Sequence, residues 1–244
     1  MRIRIAASLL VLLIVPSIAA AESPQRILFI GNSYTAGIRS TLVAFVKKSP
    51  HRKVDLEFIT PGGRDLHFHA SQTETIKRIR EGKWDIVVLQ DQSQTPAALR
   101  DRFLNASKRL HEIIAKSGAT TVYYETWGRR DGDKQNKEQF PTYEKMQDAL
   151  SSAYQNAAER DEAILVPVGQ AWRRVRKEQP QLGRELYRGD GSHPSASGAY
   201  VATICFYSRL LDADPEKVKY VGNLKPAIAD KLRAAAVEVL KTPQ

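Results

Sequence analysis

Ser33 stands two residues beyond Gly31, at the end of the apolar run Ile27-Leu28-Phe29-Ile30. A hydroxyl placed where a strand gives way to a helix is exposed and has helix N–H groups beneath it, which favours developing negative charge. A serine hydroxyl is a poor nucleophile unless a base takes its proton. A candidate base lies far along the chain, in Tyr187-Arg188-Gly189-Asp190-Gly191-Ser192-His193-Pro194-Ser195. Asp190 and His193 are three apart in a Gly-rich turn, so the carboxylate can take the Nδ1 proton and leave Nε2 as the base. Pro194 suits the first position of a following helix. The chemistry on offer is acyl transfer through a serine nucleophile. Each half alone has a plainer reading, as a turn with a helix cap or as a structural Asp-x-x-His turn. Their combination carries the weight.

Bringing such distant residues together requires a particular scaffold. Short apolar or β-branched runs at Ile27–Ile30, Val54–Ile59, Ile86–Leu89, Thr121–Tyr124 and Ile164–Val168 read as strands covered on both faces. Helical patterns fall between them, at about Arg39–Lys47, Ala70–Glu81, Ala97–Ser117, Tyr143–Arg160 and Gly169–Glu178, with two more at Ser195–Leu211 and Lys225–Leu240. Such alternation predicts an α/β protein: a three-layer α/β/α sandwich around a five-stranded parallel sheet in flavodoxin-like order. In such sheets ligands bind beyond the carboxyl ends of the strands, where Ser33 would sit. The polar loop Trp127–Asn136 follows the fourth strand at that same edge; it either borders a substrate site or is a surface loop.

With these residues in place, the sequence resembles the SGNH (GDSL-like) hydrolase superfamily, in its bacterial Gly-Asn-Ser branch. That family carries its nucleophile in a Gly-Asp-Ser block after the first strand and its acid and base in an Asp-x-x-His block near the C-terminus. Gly31-Asn32-Ser33 matches the first, with Asn32 in place of Asp, and Asp190-Gly191-Ser192-His193 matches the last. The resemblance implies an oxyanion hole from the Ser33 N–H, a Gly after the second strand and an amide after the third. Gly63, in Pro61-Gly62-Gly63-Arg64, fits the Gly. At the amide position Gln92 replaces the usual Asn, and Gln90 replaces a Gly. Alternatively, Gln90, Asp91 and Gln92 satisfy the loop's own hydrogen bonds. Asn32, His69, Glu125 and Trp127 are expected near the substrate, with helix-capping or core roles as the plainer readings for His69 and Trp127. His67 and His69 lack a third ligand at characteristic spacing, so no metal is expected, and no cofactor either.

The remaining features bound address and partners. Arg2 and Arg4, the apolar run Ile5–Val15 and Ala19-Ala20-Ala21 read as a signal peptide over residues 1–21, leaving 22–244 as one domain, secreted or periplasmic. The chain carries a net charge of +10, which favours acidic partners such as anionic envelope polymers. Export argues against nucleic acid. The cluster Arg173, Arg174, Arg176 and Lys177 reads as a solvated helix face. A single cysteine, Cys205, excludes an internal disulfide and lies in an apolar stretch. The expected activity is ester hydrolysis on an O-acylated (acetylated) carbohydrate or envelope polymer, by a monomer with no membrane span after signal cleavage. A lipase- or thioesterase-like acyl hydrolase and a non-catalytic glycan-binding protein on the same scaffold are the alternatives.

Overall fold

The computed structural model describes residues 24–48, 53–211 and 213–241. The expected signal peptide, residues 1–21, lies outside them. Five parallel strands, β1 (Gln25–Ile30), β2 (Val54–Ile59), β3 (Ile86–Leu89), β4 (Thr120–Tyr124) and β5 (Ile164–Val166), form one sheet in the order β2-β1-β3-β4-β5. This is the flavodoxin-like order, and its switch point lies between β1 and β3. The pairing is in register, with Ile27 opposite Leu56 on one side and Ile86 on the other.

Among the described residues, ten α-helices cover the sheet: α1 (Ser33–Lys48), α2 (Leu66–Ser71), α3 (Thr73–Glu81), α4 (Thr95–Ala98), α5 (Arg100–Lys116), α6 (Tyr143–Arg160), α7 (Val168–Glu178), α8 (Pro180–Glu185), α9 (Ala196–Leu211) and α10 (Pro226–Leu240). Because successive strand residues face opposite sides, each strand feeds two apolar layers. Ile27, Phe29, Val88, Val122 and Tyr124 pack with α1, α7, α9 and α10. Leu28, Ile30, Val87, Leu89 and Tyr123 pack with residues of α2, α3, α5 and α6. Cys205 lies wholly buried in α9.

The structure departs from the sequence reading in the helices. Gln72 is extended, so Ala70–Glu81 is two helices rather than one. Leu99 likewise separates α4 from α5. The basic cluster on α7 is not simply solvated. Arg173 pairs with Asp148 and Arg174 with Glu178, while Arg176 lies over the Tyr143 ring, 3.8 Å from its centroid.

Candidate active site

The turn after β1 is built around a missing side chain. The Gly31 N–H continues the ladder to the Ile59 carbonyl at 3.0 Å. A Cβ on Gly31 would collide with Gln90 Oε1 and Thr35 Oγ1, so any other residue must displace that hydrogen-bonded pair. Asn32 then caps α1: its Oδ1 accepts the Tyr34 N–H at 3.0 Å and its carbonyl accepts the Ala36 N–H at 2.9 Å. Ser33 opens the helix, part-buried, with its hydroxyl at the carboxyl rim of the sheet.

The loop 187–195, which enters α9, meets it. His193 Nδ1 donates to Asp190 Oδ2 at 2.6 Å, and Nε2 stands 2.9 Å from Ser33 Oγ as acceptor of the hydroxyl proton. Asp190 Oδ1 also accepts the N–H groups of Ser192 (2.8 Å) and His193 (2.9 Å). Partial burial works against ionisation of Asp190, but these N–H donors and the ring outweigh it and hold the carboxyl below its ordinary range. Beneath the loop is a stack of rings. Tyr34 meets the His193 ring edge-on at 5.4 Å, Trp127 lies flat on Tyr34 at 4.9 Å, and Trp172 lies flat on Trp127 at 3.8 Å. The stack also bonds to the loop: Trp127 Nε1 donates to the Ser192 carbonyl (2.9 Å), and the Tyr34 and Ser192 hydroxyls are 2.6 Å apart. The loop after β4 fastens the same segment, through the Arg130 N–H on the Gly191 carbonyl and the Tyr187 hydroxyl on the Gly128 carbonyl.

Side chains cross-tie the loops after β1, β2 and β3. Gln90 Oε1 accepts both the Asn32 N–H (3.0 Å) and the Thr35 hydroxyl (2.7 Å). Asn32 Nδ2 donates to the Arg64 carbonyl at 2.9 Å. Asp91 Oδ1 accepts the N–H groups of Leu66 (3.0 Å) and Gln92 (2.6 Å), while its Oδ2 is buried without a partner. Burial pushes the Asp91 carboxyl up to about 7 against those two donors. Gly63 and Gln92 both line one open cleft of about 790 Å³ on the β2–β3 side of this rim. Gly63 holds a positive φ of 68°, and among the described residues no acceptor takes its N–H or that of Ser33.

No family model and no curated protein matches the sequence. Solved structures do. A protein from Slackia heliotrinireducens described as an SGNH hydrolase superposes with a TM-score of 0.66 at 26% identity, over 77% of this chain and 100% of that one. In its fold and in its Ser, Asp and His blocks the chain resembles the SGNH (GDSL-like) hydrolase superfamily. Two structures share its fold at lower identity. A DUF4886 family protein from Bacteroides uniformis has a TM-score of 0.75 at 18% identity, covering 89% of this chain and 95% of that one. An acetyl xylan esterase from Geobacillus stearothermophilus has a TM-score of 0.56 at 17% identity, covering 77% and 94%.

Within this SGNH scaffold, four residues expected near the substrate are placed elsewhere. Asn32 is 2% exposed, and its side-chain oxygen and nitrogen are spent on Tyr34 and Arg64. His69 is fully buried behind the nucleophile, donating from Nε2 to the Gly31 carbonyl at 2.8 Å, and burial lowers its pKa. Glu125, 1% exposed, accepts the Ser151 hydroxyl and the Gln147 amide inside the protein; burial pushes it up to about 7. Trp127 is fully buried and serves the His193 loop from below. Gln92 reaches the cleft, but its Oε1 accepts the Gln94 N–H at 2.7 Å and its Nε2 is loosely held by Gln94 Oε1 at 3.4 Å. Sequence reasoning offered Gln90 and Asp91 a structural use within their own loop, but missed their ties to the loops after β1 and β2 and the two-sided hold on Ser192. A run of three polar residues directly after a wholly apolar strand was the available signal for the first two. Among the described residues, no group of three His, Cys, Asp or Glu side chains could hold a metal ion.

Proposed function

We propose that this protein is an exported serine ester hydrolase that removes O-acyl groups, acetyl foremost, from a carbohydrate or envelope polymer. The observation that carries the reading is the unbroken hydrogen-bond chain from Ser33 Oγ through His193 to Asp190. In this reading Ser33 Oγ attacks the acyl carbonyl as its proton passes to His193 Nε2. Asp190 stabilises the imidazolium. The tetrahedral oxyanion is received by the Ser33 and Gly63 N–H groups, with Gln92 Nε2 joining once it leaves its weak bond to Gln94. The imidazolium then protonates the departing alcohol. Water, with His193 again as base, releases the acid and restores the serine. No metal or organic cofactor takes part.

The substrate rests on three supports: the N-terminal export pattern, the surplus of positive charge, and structural neighbours that include acetyl xylan esterases. No helix among the described residues is long and apolar enough to cross a membrane. The test is turnover of p-nitrophenyl acetate together with labelling by a fluorophosphonate. Both should be lost in Ser33→Ala, and labelling should also require His193. Undiminished turnover in Ser33→Ala would refute the reading.

A further inference from the structure

The cleft on the β2–β3 side of the rim belongs to no step above. It begins at Gly63 and Gln92, two of the three groups assigned to the oxyanion, and runs out between α2 and the loop after β4. Its volume lies within the range of small-molecule sites. Side-chain amides from two separate loops line it, Gln92 and Gln94 on one and Gln135, Asn136 and Gln139 on the other, together with His67 and Phe68 of α2. Amides offer donor and acceptor together and carry no charge, which matches hydroxyl groups better than a carboxylate or an alkyl chain. They are also held for use. Asn136 Nδ2 is fixed to the buried Asp133 at 2.7 Å, and Gln94 Nε2 holds Gln135 Oε1 at 2.7 Å, leaving the opposite end of each amide uncommitted. The Gln139 amide makes no hydrogen bond within the described residues.

Part of the charge around the cleft is paired, and His67 and Arg64 also line it. Arg102 is paired with Asp65 at 2.6 Å. Arg64, at the lip, lies over the Phe68 ring, 4.8 Å from its centroid. Apolar surface is limited to Phe68, the rim residue Leu99 and small side chains, too little to cover an extended acyl tail.

We infer that this cleft is a subsite for the alcohol side of the ester, and that it takes an uncharged oligosaccharide of several units, its hydroxyls bonded to the Gln135, Asn136 and Gln139 amides. The inference rests on the hydrolase reading and narrows it to a neutral glycan, setting aside the anionic polymer that the overall positive charge favours. The acyl group stays at Ser33 and the glycan extends away past Gly63.

The experiment compares kcat/KM of the full chain for O-acetylated glucose, cellobiose and cellotetraose, with p-nitrophenyl acetate alongside. Values should climb about tenfold with chain length, the worth of two or so neutral hydrogen bonds. The climb should flatten in a Gln135→Ala/Gln139→Ala variant through a higher KM. A flat length series in the unaltered protein, with Ser33-dependent cleavage of the aryl ester intact, overturns the subsite and spares the hydrolase reading. A preference for acetylated oligogalacturonate over cellotetraose overturns it too, as does a preference for p-nitrophenyl octanoate over every acetylated sugar. Absence of Ser33-dependent cleavage of any ester overturns both.

Discussion

The two halves of the rim hold their polar groups in opposite ways. On the Ser33 side, Asn32, Gln90 and Asp91 are all but inaccessible and spend themselves on backbone groups of neighbouring loops. On the His193 side, the stack of rings lies underneath and the charge is left outside: the Asp190 side chain is 47% exposed. The carboxylates report the contrast. Burial drives Asp91 up to about 7, whereas the loop N–H groups and the ring hold Asp190 low despite its partial burial. A carboxylate that must stay ionised to steady an imidazolium is better kept near water. One that only ties loops together can be buried, because its protonated form still accepts hydrogen bonds. Alterations on the His193 side should therefore cost turnover, and alterations on the Ser33 side should cost stability as well.

The largest effect expected is in His193→Ala, where kcat for p-nitrophenyl acetate should fall about 10⁴-fold or more, the usual cost of losing the base of such a triad. Asp190→Asn should cost about 10²- to 10⁴-fold while the melting temperature stays close to that of the unaltered protein. A large drop in melting temperature would break the comparison. Asp91→Leu should do the reverse. It strands two buried N–H groups, at about 1–3 kcal/mol each, and calorimetry should show a fall of several degrees, about 2–4 °C per kcal/mol for a chain of this size. Asp91→Asn, which keeps an acceptor at the same place, should recover most of that.

The pH dependence of stability sharpens the same point. Asp91 and Glu125 have folded pKa values raised to about 7. A raised acid binds its proton more tightly when folded. Its contribution is therefore complete below its unfolded value, near pH 4, and is lost as pH climbs through about 7. Asp190, lowered, contributes above its unfolded value and loses that contribution as pH falls below it. Melting temperature should therefore decline between about pH 4.5 and 8, and the decline should be shallower in an Asp91→Asn/Glu125→Gln variant. The smallest effect is in Trp127→Phe, which keeps a ring but removes the donor to the Ser192 carbonyl. One such bond, about 1 kcal/mol, should appear as a few-fold loss in kcat.

Much of this was legible from the chain. β2 and β3 run between the expected residues, β1 and β4 begin slightly earlier, and β5 is shorter. Wholly buried strands announce themselves as apolar runs, and a parallel order follows from the helices between them. The helices were harder to bound. α1 starts at Ser33 rather than near Arg39 because Asn32 caps it, and no Gly or Pro marks the breaks at Gln72 and Leu99. α8 went unforeseen, although Pro180 stands at its first position. Ser33, Asp190 and His193 were found because their spacing is local to two short segments. Whether Trp127 or His69 faces a ligand or the interior depends on what other elements bring. Tyr34 comes from α1 and Trp172 from α7, and the Gly31 carbonyl lies across from α2. No local pattern around Trp127 or His69 encodes those neighbours.

The contact between Trp127 and Trp172 has an optical consequence. Two indoles lying parallel within 6° and 3.8 Å apart share their electronic excitation. The third tryptophan, Trp84, is held near the opposite edge of the sheet against Arg26 and Arg78. Far-ultraviolet circular dichroism should thus show a split band from the paired chromophores, and its intensity would report, without any added dye, on movement in the segment that carries the imidazole.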